Sequence, residues 1–128
     1  MKLLLDTCTF LWIVDQHDQL PMPVVRLFIS AENEVYLSAA SAWEIAAKYG
    51  ARRLNLATPP ERFVPDQREA HRILSLPIDE ESALHTSRLP LLHRDPFDRI
   101  LVGQAIVHGM TILTPDRLIT QYPARTMW

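Results

Sequence analysis

Four acidic side chains, Asp6, Glu44, Asp98 and Asp116, stand where carboxylates do chemistry rather than decorate a surface. Asp6 directly follows the apolar run Leu3-Leu4-Leu5, and Asp116 comes shortly after Thr111-Ile112-Leu113. Both runs read as buried strands, and in open α/β sheets ligands gather beyond the carboxyl ends of strands. Glu44 lies between Trp43 and Ile45, with Ala40 and Ala47 at neighbouring helical positions, a face of small and apolar side chains rather than a solvated stripe. Asp98 falls in the first turn of a helix opened by Pro96, where backbone amides and the helix dipole favour negative charge. If the four converge, each pair repels by about 3 kcal/mol at roughly 5 Å and an effective dielectric near 20. A divalent cation relieves that repulsion. Hard oxygen donors without a cysteine or histidine cluster favour Mg²⁺ or Mn²⁺ over zinc. Such ions bind a phosphate oxygen, help deprotonate water and stabilise a leaving oxygen, which is the chemistry of phosphodiester hydrolysis.

Each acid also has a purely structural reading. Asp95 reads first as the N-cap of the helix beginning at Pro96, Asp98 as a capping-box acid, Asp116 as the cap of a helix from Arg117, and Asp6 as a turn residue. Glu44 can pair with Lys48 at i,i+4, a common exposed arrangement worth about 0.3 to 0.5 kcal/mol, although Trp43 and Ile45 speak against exposure.

The elements that must carry these residues fit one domain over residues 1–128. With 48% of its residues hydrophobic, the chain can bury a core without disulfides. Its net charge of −2 rules out a generally basic nucleic-acid coat and an acidic disordered tail. Three glycines leave no phosphate-cradling loop, so P-loop and dinucleotide-binding readings fail. Cys8 stands alone, which excludes a disulfide framework or CxxC zinc site and suits a reducing cytoplasm. Asp6 interrupts the apolar start and no cleavage-site pattern follows, so no export signal is read; no apolar run nears the ~20 residues of a membrane span.

Along the chain, strands are expected at Lys2 to Leu5, Val35 to Leu37, Leu74 to Ile78 and Thr111 to Leu113. Helices are expected at Phe10 to Val14, Pro23 to about Ala31, Ser38 or Ser41 through Tyr49 with Gly50 as the stop, Pro60 to Leu74 with a break near Pro65, Glu80 to Ser87, and Ile100 to Val107 ending near Gly109. Apolar strands alternating with helices predict an α/β three-layer sandwich around a mostly parallel sheet.

Taken together, Leu4-Leu5-Asp6-Thr7, Ser41-Ala42-Trp43-Glu44-Ile45 with Lys48, His93-Arg94-Asp95-Pro96-Phe97-Asp98-Arg99 leading into Gln104-Ala105, and Leu113-Thr114-Pro115-Asp116 resemble the PIN-domain ribonucleases, specifically VapC-type toxins of bacterial and archaeal toxin–antitoxin pairs. The blocks occur in the family's order and span nearly the whole chain; Gly103, where many relatives carry alanine, departs from the pattern. The resemblance implies a PIN-like fold and Asp6, Glu44, Asp98 and Asp116 as metal-binding acids around Mg²⁺ or Mn²⁺. It implies Thr7 and Thr114 as supporting hydroxyls and Asp95 as an auxiliary or capping acid. It further implies an RNA substrate, a cognate antitoxin protein whose C-terminal segment covers the acidic groove, and a homodimer.

Among the remaining residues, Arg94 and Arg99 are the leading candidates to meet RNA phosphates, with Arg52, Arg53, Arg88 and Arg117 behind them. Cys8 reads as a small buried hydrophobe, His93 as structural, and Trp12, Trp43 and Phe97 as core. The stripe Val24, Val25, Leu27, Phe28 reads either as core or as part of a partner groove. Three competing functions stay open: a phosphoryl-aspartate enzyme using Asp6, a non-catalytic binding module with an acidic pocket, and a nuclease acting on DNA. Against the first, the position two residues after Asp6, where a second acid belongs, holds Cys8.

Overall fold

The computed structural model describes all 128 residues. The elements are β1 (Lys2–Leu5), α1 (Thr7–Asp15), α2 (Met22–Ile29), β2 (Glu34–Ser38), α3 (Ala39–Gly50), α4 (Pro60–Ala70), β3 (Leu74–Leu76), α5 (Glu80–His85) with a 3-10 turn over Thr86–Arg88, α6 (Pro96–His108), β4 (Thr111–Leu113), α7 (Arg117–Thr120) and β5 (Arg125–Met127). The five strands form one sheet in the order β3-β2-β1-β4-β5, and every pairing is parallel.

Parallel strands need crossover helices on the faces, so the central strands are buried on both sides and read as continuous apolar runs. Leu3, Leu4 and Leu5 are fully buried, each worth roughly 1.5–3 kcal/mol of removed apolar surface. Alternation along the strands divides them between two cores. Leu3, Leu5, Val35, Leu37 and Leu113 pack with Phe10, Val24, Ile45 and Phe63 on one face. Leu4 and Ile112 pack with Leu101, Val102, Ile119 and Tyr122 on the other. These two faces make the three layers.

The order of strands reverses beside β1: the chain moves outward through β2 and β3, then returns to place β4 on β1's other side. That reversal opens a crevice beyond Leu5 and Leu113, the usual ligand position of such sheets.

Three expectations are corrected. Pro65 does not break α4; it removes one i→i−4 bond, while buried Phe63 and Val64 hold the helix against the core until Ala70. Gly50 is not a left-handed stop but the last residue of α3, and the positive φ falls at Arg52. The edge strand β5 has no counterpart in the expected elements, because Arg125-Thr126-Met127 is short and largely solvent-facing and so lacks an apolar signature.

Gly103 has a packing reason. A Cβ there would lie 2.8 Å from the carbonyl oxygen of Ser82, so its absence lets α6 approach α5. Alanine ordinarily favours a helix over glycine, but here backbone would have to move. Gly103→Ala is therefore expected to destabilise the protein by about 1–2 kcal/mol, read as a melting temperature lower by roughly 3–6 °C. A rise in melting temperature would contradict the close approach.

Candidate active site

Asp6, first residue after β1, caps α1. Its Oδ1 accepts from the Thr9 backbone N–H at 2.8 Å, and its Oδ2 accepts from the Thr114 hydroxyl at 2.5 Å. Thr114 follows β4, so one hydrogen bond ties the ends of the two strands that flank the crevice. The Thr114 oxygen also accepts from the Asp116 backbone N–H at 3.0 Å, and Asp116 caps α7 by accepting from Leu118 N–H at 2.8 Å. Helix caps thus fix the backbone beneath two of the four acids.

Glu44 arrives from α3, only 5% exposed. Thr7 donates its hydroxyl to Glu44 Oε1 at 2.7 Å, and Lys48 Nζ lies 2.6 Å from Oε2. The burial and the i,i+4 ion pair, weighed as alternatives from the sequence, both occur. The α3 residues facing inward are Ala40, Ser41, Glu44 and Ile45, which turns Trp43 outward, 61% exposed and edge-on to Phe97 at 4.9 Å. Trp43 is therefore not core.

Asp98 comes from the first turn of α6, whose cap is Asp95, accepting from Phe97 N–H at 2.9 Å. The His93 ring Nε2 lies 2.7 Å from Asp98 Oδ2, a hydrogen bond in the tautomer that carries its proton there. Donor atoms of His93, Asp98 and Asp116 all fall within 4.8 Å of one another. The sequence reading gave His93 only a structural role; its sole signal was proximity to Asp98.

All four acids line one cavity of about 450 Å³ together with Thr7, Asp95 and His93. Lys48 and Arg53 are the cations on its wall, and Cys8, Leu11, Trp12 and Leu54 supply a less polar side. Cys8 is exposed rather than buried as expected; desolvation and then the neighbouring Asp6 hold its thiol up at about 11, which leaves no thiolate for nucleophilic work. Arg99, expected at RNA phosphate, instead directs its guanidinium to the carbonyls of Thr86 and Pro90 and to the Tyr122 hydroxyl. Arg94 is exposed and is not among the cavity residues. Away from this site, Val24 is core, while Val24, Val25 and Phe28 also line a second groove of about 360 Å³ with Ile13 and Leu20.

Burial raises the Asp98 carboxyl to about 7, with the charge of Asp95 adding to it and the His93 hydrogen bond opposing. Burial also raises Asp6, opposed by its bonds from Thr114 and Thr9 and reinforced by Asp116. Desolvated carboxylates of like sign suit a divalent cation, for which the cavity offers hard oxygen donors, the His93 Nε2 beside them being engaged with Asp98.

The chain matches the family model described as PIN domain over residues 3–124. In fold it is similar to VapBC2 from Rickettsia felis, solved bound to a DNA fragment from their promoter: TM-score 0.75, 14% identity, covering 100% of this chain and 99% of that one. It is also similar to DNA-bound VapBC from Salmonella typhimurium, with TM-score 0.70 and 22% identity over 99% of this chain and 97% of that one. FitAcB from Neisseria gonorrhoeae gives TM-score 0.62 and 21% identity, covering 98% and 96%. No curated protein matches the chain in sequence. No helix is long and apolar enough to cross a membrane.

The raised carboxyls have a sign-definite consequence. An acid whose folded pKa exceeds its unfolded value binds more protons in the native state, so stability falls as pH rises between the two values. In chelator, the melting temperature is expected to decline from about pH 4 to pH 7 and then level off, on the Asp98 value of about 7. Asp98→Asn should flatten that decline and raise the melting temperature at pH 8. An unchanged slope would mean that Asp98 is not destabilised by its surroundings.

Proposed function

Since the chain belongs to the PIN domain family, a family of nucleases, we propose that it is a divalent-metal-dependent endoribonuclease acting as the toxin of a toxin–antitoxin pair. One observation carries the reading: acids from four separate parts of the chain, Asp6, Glu44, Asp98 and Asp116, line one cavity at the strand-order reversal. Mg²⁺ or Mn²⁺ held by these carboxylates would supply positive charge to polarise a phosphate and acidify water. The chain's own groups do the positioning. Thr114 and Thr7 hold Asp6 and Glu44 by their hydroxyls, His93 holds Asp98, and Lys48 offsets part of the Glu44 charge.

RNA contact passes from Arg99, whose donors are engaged, to Arg53 on the cavity wall, where an arginine fork suits a phosphate. Trp12, one side of which stacks on His17 at 5.0 Å, and Leu54 line the same wall and give a nucleobase apolar surface. The phosphoryl-aspartate alternative is disfavoured, because both Asp6 oxygens are engaged by Thr9 and Thr114 in a buried setting. The cognate antitoxin and a homodimer belong to the proposal through the family resemblance, supported by likeness to VapBC and FitAcB structures.

Purified protein with Mn²⁺ or Mg²⁺ is expected to cut single-stranded RNA, to stop in chelator, and to lose at least about a hundredfold in kcat/KM on Asp98→Asn. Full cutting by Asp98→Asn would overturn the site, and calorimetry without divalent-ion binding would favour a binding module. A DNA oligonucleotide of the same sequence, cut equally well, would replace RNA with nucleic acid of either kind. Arg53→Ala is expected to raise KM severalfold and to lower the slope of log affinity against log salt by about 1, as for one lost phosphate contact. An unchanged slope would remove Arg53 from the substrate path.

A further inference from the structure

The seven residues from Leu89 to Asp95 have no regular secondary structure, yet they deliver His93 to Asp98. Leu89 anchors one end in the core. The rest is held by two side chains from elsewhere. Arg99 Nη2 donates to the Thr86 carbonyl at 2.8 Å, and Nη1 donates to the Pro90 carbonyl at 2.9 Å and to the Tyr122 hydroxyl at 3.1 Å. The Tyr122 hydroxyl also accepts from the His93 backbone N–H at 2.9 Å. Tyr122 is itself buried, 3% exposed, in the same core cluster as Leu89.

From this connection we infer that Arg99 and Tyr122 are positioning residues which clamp the Leu89–Asp95 segment and act through His93 to orient the Asp98 carboxylate. The inference rests on the proposed metal-dependent function and deepens it. The geometry has an internal logic: Asp98 and Arg99 are consecutive on α6, so the acid and the clamp share one rigid turn, and the loop is referenced to the helix that carries the acid. A guanidinium fork satisfying two carbonyls and a hydroxyl at once is a task that lysine's single ammonium does not reproduce. Tyr122, on the turn after α7, adds a reference to the opposite side of the crevice, because α7 is capped by Asp116. The clamp therefore ties the acids of α6 to those beyond β4. A partner bonded directly to a ligating group, as His93 is to Asp98, commonly changes metal affinity by about 10–100-fold when removed, and Arg99 and Tyr122, one step further out, fall at the lower end of that range.

The test uses Tyr122→Phe, which keeps the buried ring and removes only the hydroxyl, with Arg99→Lys as a second variant. Mn²⁺ affinity is read by calorimetry and RNA cleavage by kcat and KM, with circular dichroism verifying the fold. Both variants are expected to bind Mn²⁺ about tenfold more weakly, with kcat lowered and KM for RNA nearly unchanged. His93→Ala should show the same loss and His93→Gln, which can still donate to the carboxylate, a partial recovery. The double variant Tyr122→Phe/His93→Ala should bind Mn²⁺ no more weakly than His93→Ala alone, since residues that act through one another are not additive. Wild-type Mn²⁺ affinity in folded Tyr122→Phe and Arg99→Lys, or additive losses in the double variant, would overturn the inference while leaving the nuclease reading intact. A wild type that neither binds Mn²⁺ nor cuts RNA would remove that reading and the inference together.

Discussion

The structure turns on an unfavourable placement: carboxylates of like charge crowded into a partly desolvated crevice where the strand order reverses. Asp6 and Glu44 are 4% and 5% exposed, and burial raises the proton affinity of both Asp6 and Asp98. Hydroxyls from Thr114 and Thr7 and the ring of His93 order these acids without neutralising them, except through Lys48 beside Glu44. Buried charge persists only if paired, protonated or bound to a cation. A domain of this size has little stability to spare for such a conflict unless it serves a ligand.

The fold makes the arrangement possible by letting the same residues work twice. Asp6, Asp95 and Asp116 each use an oxygen to cap a helix, and the cap fixes the backbone from which the carboxylate projects. Structural and functional readings of these acids are therefore not rivals. Gln104, fully buried on α6, extends the same economy. It accepts from the Ser38 hydroxyl and donates to the Pro77 carbonyl, docking α6 against the ends of β2 and β3. The helix bearing Asp98 is thus fixed at two places, against the sheet ends by Gln104 at its middle and against the Leu89–Asp95 segment by Arg99 at its start.

Much of this was legible in the sequence because it follows from local pattern. The triplets Leu3-Leu4-Leu5 and Thr111-Ile112-Leu113 announce strands, and acids just beyond their ends fall at one sheet edge by the rules of parallel sheets. Pro96 after Asp95 announces α6, and the ordered motifs pointed to the family that the match over residues 3–124 shows. What was hidden depends on tertiary contact. His93 sits in an irregular segment whose path is set by Arg99 and Tyr122, and no periodicity encodes that. Arg99, beside Asp98 in sequence, points away from the cavity to backbone carbonyls. Trp43 looks like core in the sequence, but burial of Glu44 and Ile45 on α3 fixes a face that leaves the indole outside.

If the acidic crevice is a cation site, crystals grown with Mn²⁺ will reveal it by anomalous scattering. An anomalous peak is expected inside the cavity, in contact with carboxylate oxygens from at least three of Asp6, Glu44, Asp98 and Asp116. An ordered map in which that cavity carries no anomalous density, with Mn²⁺ in excess at pH 8, would contradict it.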